Sequence, residues 1–159
     1  MKNLKKEIEF WTVFIIVSIS LSGITAFPLP QEIKFLLSLN LFSIHSEPGL
    51  WLQQIHEGLQ TTQANYPFLF YGFDWLAFAH LIIALLFIGV YRNPIQNIWI
   101  IEWGLICCAL VFPLAFICGA LRGIPFFHIL IDCSFGLVGS IPLYRCRVLI
   151  RRLQKATVR

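Results

Sequence analysis

Charge is what this chain has least of: among 159 residues, 12 are Lys or Arg and 8 are Asp or Glu, 13% in all. A soluble domain usually carries about a quarter. With 58% of its residues apolar or aromatic and a mean hydropathy of +0.77, a water-soluble fold of this length could not hide its apolar surface. A nucleic-acid partner is not expected either. The formal charge of +4 comes mainly from basic residues at the two ends and in one short turn, which is a topology signal and not a basic groove. There is no C-x-x-C pair: Cys107, Cys108, Cys118, Cys133 and Cys146 fall in or beside apolar runs and read as small packing residues rather than redox or metal groups. Phosphate loops, dinucleotide fingerprints and nucleophile motifs are also missing, as are internal repeats and low-complexity tracts.

Long apolar runs are what the chain does have. A bilayer core takes about 20 mainly apolar helical residues, and four such runs occur, at about 10–27, 70–91, 99–121 and 125–146. Pro28 and Pro30 stop the first, and Arg92-Asn93-Pro94 ends the second. The expected fold is all-α: one integral membrane domain over 1–159, a four-transmembrane-helix bundle. The segment 28–66 is too polar to cross and too apolar for a plain linker. In it Ile33, Leu36 and Leu37, then Leu52, Ile55 and Leu59, recur at helical spacing, with Ser46 as an N-cap and Pro48 in the first turn. These predict two short helices lying on the outer membrane face or folded over the bundle.

Basic residues set the orientation. Lys2, Lys5 and Lys6 precede the first span, Arg92 lies between the second and third, and Arg145, Arg147, Arg151, Arg152, Lys155 and Arg159 lie at or beyond the end of the fourth. An even number of crossings puts all of these on one side, which the positive-inside rule makes the cytoplasm; Lys34 and Arg122 fall opposite. Both termini are therefore expected in the cytoplasm. An alternative makes the first span a signal peptide cleaved after Ala26, although Ile24 is large for the position two before the cut and the apolar run is long.

Five ionisable residues lie within or beside the spans, where each is costly and hence a functional candidate: Asp74, His80, Glu102, His128 and Asp132. Asp132 stands roughly 10 Å past Pro125 and His80 roughly 9 Å past Asp74 along their helices. His128 and Asp132, four apart, share a face and could reach one metal or one proton. Asp74 and His80, six apart, diverge by about 120° and cannot both point at one spot. Three readings stay open for Asp74, His80, His128 and Asp132: hydrogen-bonded structural pairs, a catalytic set with His as acid or base, or a metal site built on His80, His128 and Asp132 for zinc, iron or manganese. Bis-histidine haem ligation fits poorly because His80 and His128 differ in depth.

Arg122, in the tight outer connection, is expected either to clamp Asp74 or to contact an anionic substrate or headgroup. Glu102, beside Trp99 and Trp103, reads as an interfacial anchor paired with Arg92 or Arg145. Pro113 should bend the third span, and Gly136, Gly139, Ser140, Ser18 and Ser22 offer small faces for close helix contact.

The stretch Tyr66-Pro67-Phe68-Leu69-Phe70-Tyr71-Gly72-Phe73-Asp74-Trp75-Leu76-Ala77-Phe78-Ala79-His80, with Arg122-Gly123-Ile124-Pro125-Phe126-Phe127-His128 and Asp132-Cys133-Ser134-Phe135-Gly136, resembles a family of short bacterial membrane proteins that carries no assigned activity. The resemblance spans nearly the whole chain. It implies a bacterial inner-membrane protein and brings no substrate or cofactor. The C-x-x-C of four-helix vitamin K reductases is absent. Three function classes follow: a packing or assembly partner of a membrane complex, through other membrane proteins or self-association; a membrane enzyme or metal-binding protein with an outer His/Asp site; or a small ion or solute transporter.

Overall fold

The computed structural model describes residues 2–157. Arg159, the end of the expected basic tail, lies outside them. The helices are α1 (Lys2–Ala26), α2 (Leu29–Ser38), α3 (Glu47–Asn65), α4 (Phe70–Leu86), α5 (Ile88–Arg92), α6 (Ile98–Leu121) and α7 (Phe126–Thr157). A single 3-10 turn at Pro67–Leu69 leads into α4, and no strand occurs among the described residues. Lys2–Ala26, Pro67–Arg92, Ile98–Leu121 and Phe126–Thr157 are long and apolar enough to cross a bilayer, which makes this an all-helical membrane protein.

Two spans overrun their expected limits. α1 begins at Lys2 because Lys and Glu are good helix formers that need no lipid around them. α7 continues past residue 146 to Thr157: Arg, Leu, Gln, Lys and Ala favour helix, and its stripe of Cys146, Leu149, Ile150 and Leu153 stays buried. The second span has a junction at Phe87, whose N–H bonds the Ala84 carbonyl at 3.2 Å, the tighter i to i+3 spacing. Ser46 caps α3, its hydroxyl accepting the Gly49 N–H at 3.3 Å, with Pro48 in the first turn as expected.

Two compact units divide the chain: residues up to Ser18 with those from Ile83 onward, and Ile19–Ile82. The first is built on the antiparallel pair α6 and α7. Gly123 turns the chain at φ 66°, a left-handed angle that costs glycine little, while the Ile124 N–H bonds the Gly119 carbonyl at 3.0 Å to close α6. The two helices then meet through glycine at three levels. Gly104 faces Leu143, Gly136 faces the Cys108 carbonyl and Gly119 faces Ile129; a Cβ at Gly136 would stand 2.6 Å from that carbonyl oxygen, and one at Gly119 would stand 2.7 Å from Ile129 Cδ1. Lipid gives helices no hydrophobic reason to associate, so such close approach supplies the packing. α1 joins the pair at Thr12, whose hydroxyl donates to the Ile8 carbonyl at 2.7 Å and lies 3.7 Å from Cys146 Sγ. Ile8, Ile100, Ile101, Ile150 and Phe87 fill this core.

In the second unit α1 and α4 touch at Gly23, where a Cβ would come within 2.8 Å of the Ala77 carbonyl oxygen and 2.9 Å of His80 Cβ. The expected contact face of Ser18 and Ser22 is exposed instead. Only a residue without a Cβ fits an approach this close, and that residue is the neighbouring glycine. α2 and α3 pack beside a cavity of about 140 Å³ lined by Leu36, Leu37, Leu41, Ile44, Leu52 and Gln53, among others.

Candidate functional site

His128 and Asp132 sit one turn apart near the start of α7, where helical periodicity aligns them. His128 Nε2 lies 3.9 Å from Asp132 Oδ1, with side chains 35% and 44% exposed. That distance is beyond a hydrogen bond, so the pair is a loose one that can draw together around a proton or an added ligand.

His80 and Asp74 occupy different sides of α4. His80 is half-buried on the side of Ala77 and Ala84, and its Nδ1 lies 2.8 Å from the Leu76 carbonyl oxygen. A ring nitrogen facing a carbonyl at that distance is the N–H donor, which in the neutral ring leaves a lone pair on Nε2. Nε2 has no partner among the described residues. Asp74 is exposed, in an open groove of about 320 Å³ lined by Phe27, Tyr71, Trp75 and Phe78. The six-residue separation explains the divergence.

Arg122 forms the C-cap of α6, exposed, with its backbone N–H bonded to the Cys118 carbonyl at 3.0 Å. Neither Arg122, in the first unit, nor Asp74, in the second, has an ion-pair partner within its own unit among the described residues. Within neither unit do three or more His, Cys, Asp or Glu side chains gather closely enough to hold a metal ion, among the described residues.

Glu102 is paired, but not with Arg92 or Arg145. Its Oε1 accepts from Arg147 Nε at 3.1 Å and from Arg151 at 2.9 Å. Arg147 and Arg151 are four apart and share one face of α7, whereas Arg145 lies about 160° away from Arg147 around the helix. Two arginines at that spacing repel unless an acid stands between them, and this was the signal in the sequence that pointed to Glu102.

Together with the Thr12 contact, the Glu102 cluster puts the start of α1, the start of α6 and the end of α7 at one end of the first unit. The basic residues flanking these helices therefore collect there. Compared with protein-family models, curated proteins and solved structures, the chain matches none, so any function rests on its own residues.

Proposed function

We propose that this chain is a small multi-pass protein of a bacterial inner membrane, its four spans packed as one bundle with both termini cytoplasmic, and that it acts as a packing or assembly partner in a membrane complex. The observation that carries this reading is the outer side of α6. Only 11% of its apolar window is buried. Ile106, Leu110, Leu114, Ile117 and Leu121 recur every three or four residues along one exposed stripe. Such a row meets either lipid or another protein. The collection of basic residues at one end of the first unit supports the orientation. A photo-crosslinking residue at Leu110 or Leu114 should give a discrete protein adduct in intact cells. Adducts with lipid alone would count against assembly.

A second reading, a membrane enzyme or metal-binding protein with a periplasm-side site, is favoured by His80. Its Nδ1–H is tied to a backbone carbonyl and its Nε2 is open, the arrangement metal-ligating imidazoles adopt. Metal analysis of the purified chain, wild type against His80→Gln, tests it: stoichiometric zinc, iron or manganese lost in the variant supports the reading, and metal-free wild type rejects it.

A further inference from the structure

The arginines at the end of α7 fall into two sets by direction. Arg147 and Arg151 turn toward α6 and share Glu102, at 3.1 Å and 2.9 Å. Arg145 and Arg152 are seven residues apart, which brings them within about 20° of each other around the helix and sets both about 100° or more from the Glu102 pair. Both are exposed, and neither has an ion-pair partner among the described residues. The nearest acid along this part of the fold, Glu102, is already engaged by two other guanidinium groups. Two positive charges therefore stand side by side on the outside of α7 with no counter-charge from the chain.

Their place on the helix selects the counter-charge. Val138, Ile141, Arg145 and Arg152 follow one another at steps of three, four and seven residues, a single ridge along α7. Val138 and Ile141 are 64% and 59% exposed on a helix apolar enough to cross a bilayer, so the lower part of the ridge meets acyl chains. Counted from Phe126, just past the turn between α6 and α7, Arg145 lies roughly 28 Å and Arg152 roughly 39 Å along the axis. A hydrocarbon core of about 30 Å puts Arg145 at its edge and Arg152 beyond it, with the lipid phosphates of that leaflet between them. Long flexible stems let Arg145 reach outward and Arg152 reach back to that level, and a planar guanidinium offers paired donors to phosphate oxygens. A free anion would find two groups strung along a helix and no enclosure. A lipid anion finds the same two groups with a seat for its chains below.

We propose that Arg145 and Arg152, with Val138 and Ile141 below them, form a seat for an anionic phospholipid, its phosphate held by the two guanidinium groups and an acyl chain lying on the apolar pair. The seat depends on the chain crossing a bilayer and stands apart from both assembly and the chemistry of His80. Native mass spectrometry of the full chain in a non-ionic detergent tests it, with phosphatidylglycerol, phosphatidylcholine and inorganic phosphate as separate probes. A basic group near an anionic lipid is worth about fivefold in affinity, so phosphatidylglycerol should be retained about 25-fold better than phosphatidylcholine. Arg152→Gln should cut that preference about fivefold, and Arg145→Gln with Arg152→Gln should abolish it. Lys5→Gln with Lys6→Gln removes as much charge from the start of α1 and should leave the preference intact. Melting temperature is recorded for every variant, and Arg152→Gln alone carries the test should the double variant misfold. Equal retention of the two lipids, or a preference unchanged in Arg152→Gln, overturns the seat. An equal loss in the Lys5 and Lys6 variant also overturns it, since diffuse charge and not a seat would then hold the lipid. Displacement of bound phosphatidylglycerol by an excess of inorganic phosphate overturns the lipid assignment.

Discussion

Two acids in apolar helices, Glu102 in the first unit and Asp74 in the second, are treated in opposite ways. Glu102 is shared by two guanidinium groups across the α6 and α7 pair. Asp74 is exposed beside Tyr71, Trp75 and Phe78, with no ion-pair partner among the described residues. The same contrast holds for the imidazole of His80, which has one nitrogen bonded and one open. The paired acid ties two helices together, whereas the exposed one contributes nothing to helix packing among the described residues.

The sharpest way to break the comparison is to break the frame of the first unit. Gly136→Leu drives a side chain into the Cys108 carbonyl and should cost about 3 kcal/mol, read as a large fall in melting temperature in detergent or loss of the protein from the membrane. Gly139→Ala is the control. There a Cβ meets only Cys108 Sγ, at 3.4 Å, and little change is expected. Next in size is Glu102→Gln, which removes the charge between Arg147 and Arg151. The cluster is partly exposed and screened, so the expected loss is on the order of 1 kcal/mol, diminishing at high salt. A double-mutant cycle with Arg151→Gln should show coupling.

Smaller again is the effect expected at the loose pair on α7. Asp132→Asn should shift stability by less than about 0.5 kcal/mol, because a half-exposed pair at 3.9 Å has little to lose. Loss of a cellular phenotype at unchanged melting temperature would then identify a working site, whereas a clear fall in stability would identify a structural pair. Smallest of all is Asp74→Asn, which should leave lipid-free stability unchanged or slightly raised, since no protein partner is lost. A marked loss there would erase the contrast with Glu102.

Local chemistry was legible in the sequence. Ser46 and Pro48 announce the start of α3 because a cap and a first-turn proline act within a few residues. Run length announced the four spans for the same reason. Contacts between helices were less legible. Ser18 and Ser22 looked like a small-residue face, yet Gly23 beside them makes the approach, because which side of α1 meets α4 is a matter of tertiary rotation. Arg145 and Arg92 were plausible partners for Glu102 by depth alone, and the i, i+4 spacing of Arg147 and Arg151 decides the matter by direction. The aromatic stripe at Asp74 was present in the sequence as Tyr71, Trp75 and Phe78, but Phe27 comes from another helix's end and only folding brings it there.

The proposed topology decides which face of the membrane each end and the α2–α3 segment occupy. The proposed orientation, with the basic start of α1 and end of α7 in the cytoplasm and α3 outside, rests on the positive-inside rule. Starting from a chain with its five cysteines replaced, single cysteines at Glu57 and at Lys155 can be probed in intact cells with a membrane-impermeant thiol reagent applied from outside. The account predicts labelling at position 57 and none at 155 until the membrane is opened. Labelling at 155 but not at 57 in sealed cells would contradict it.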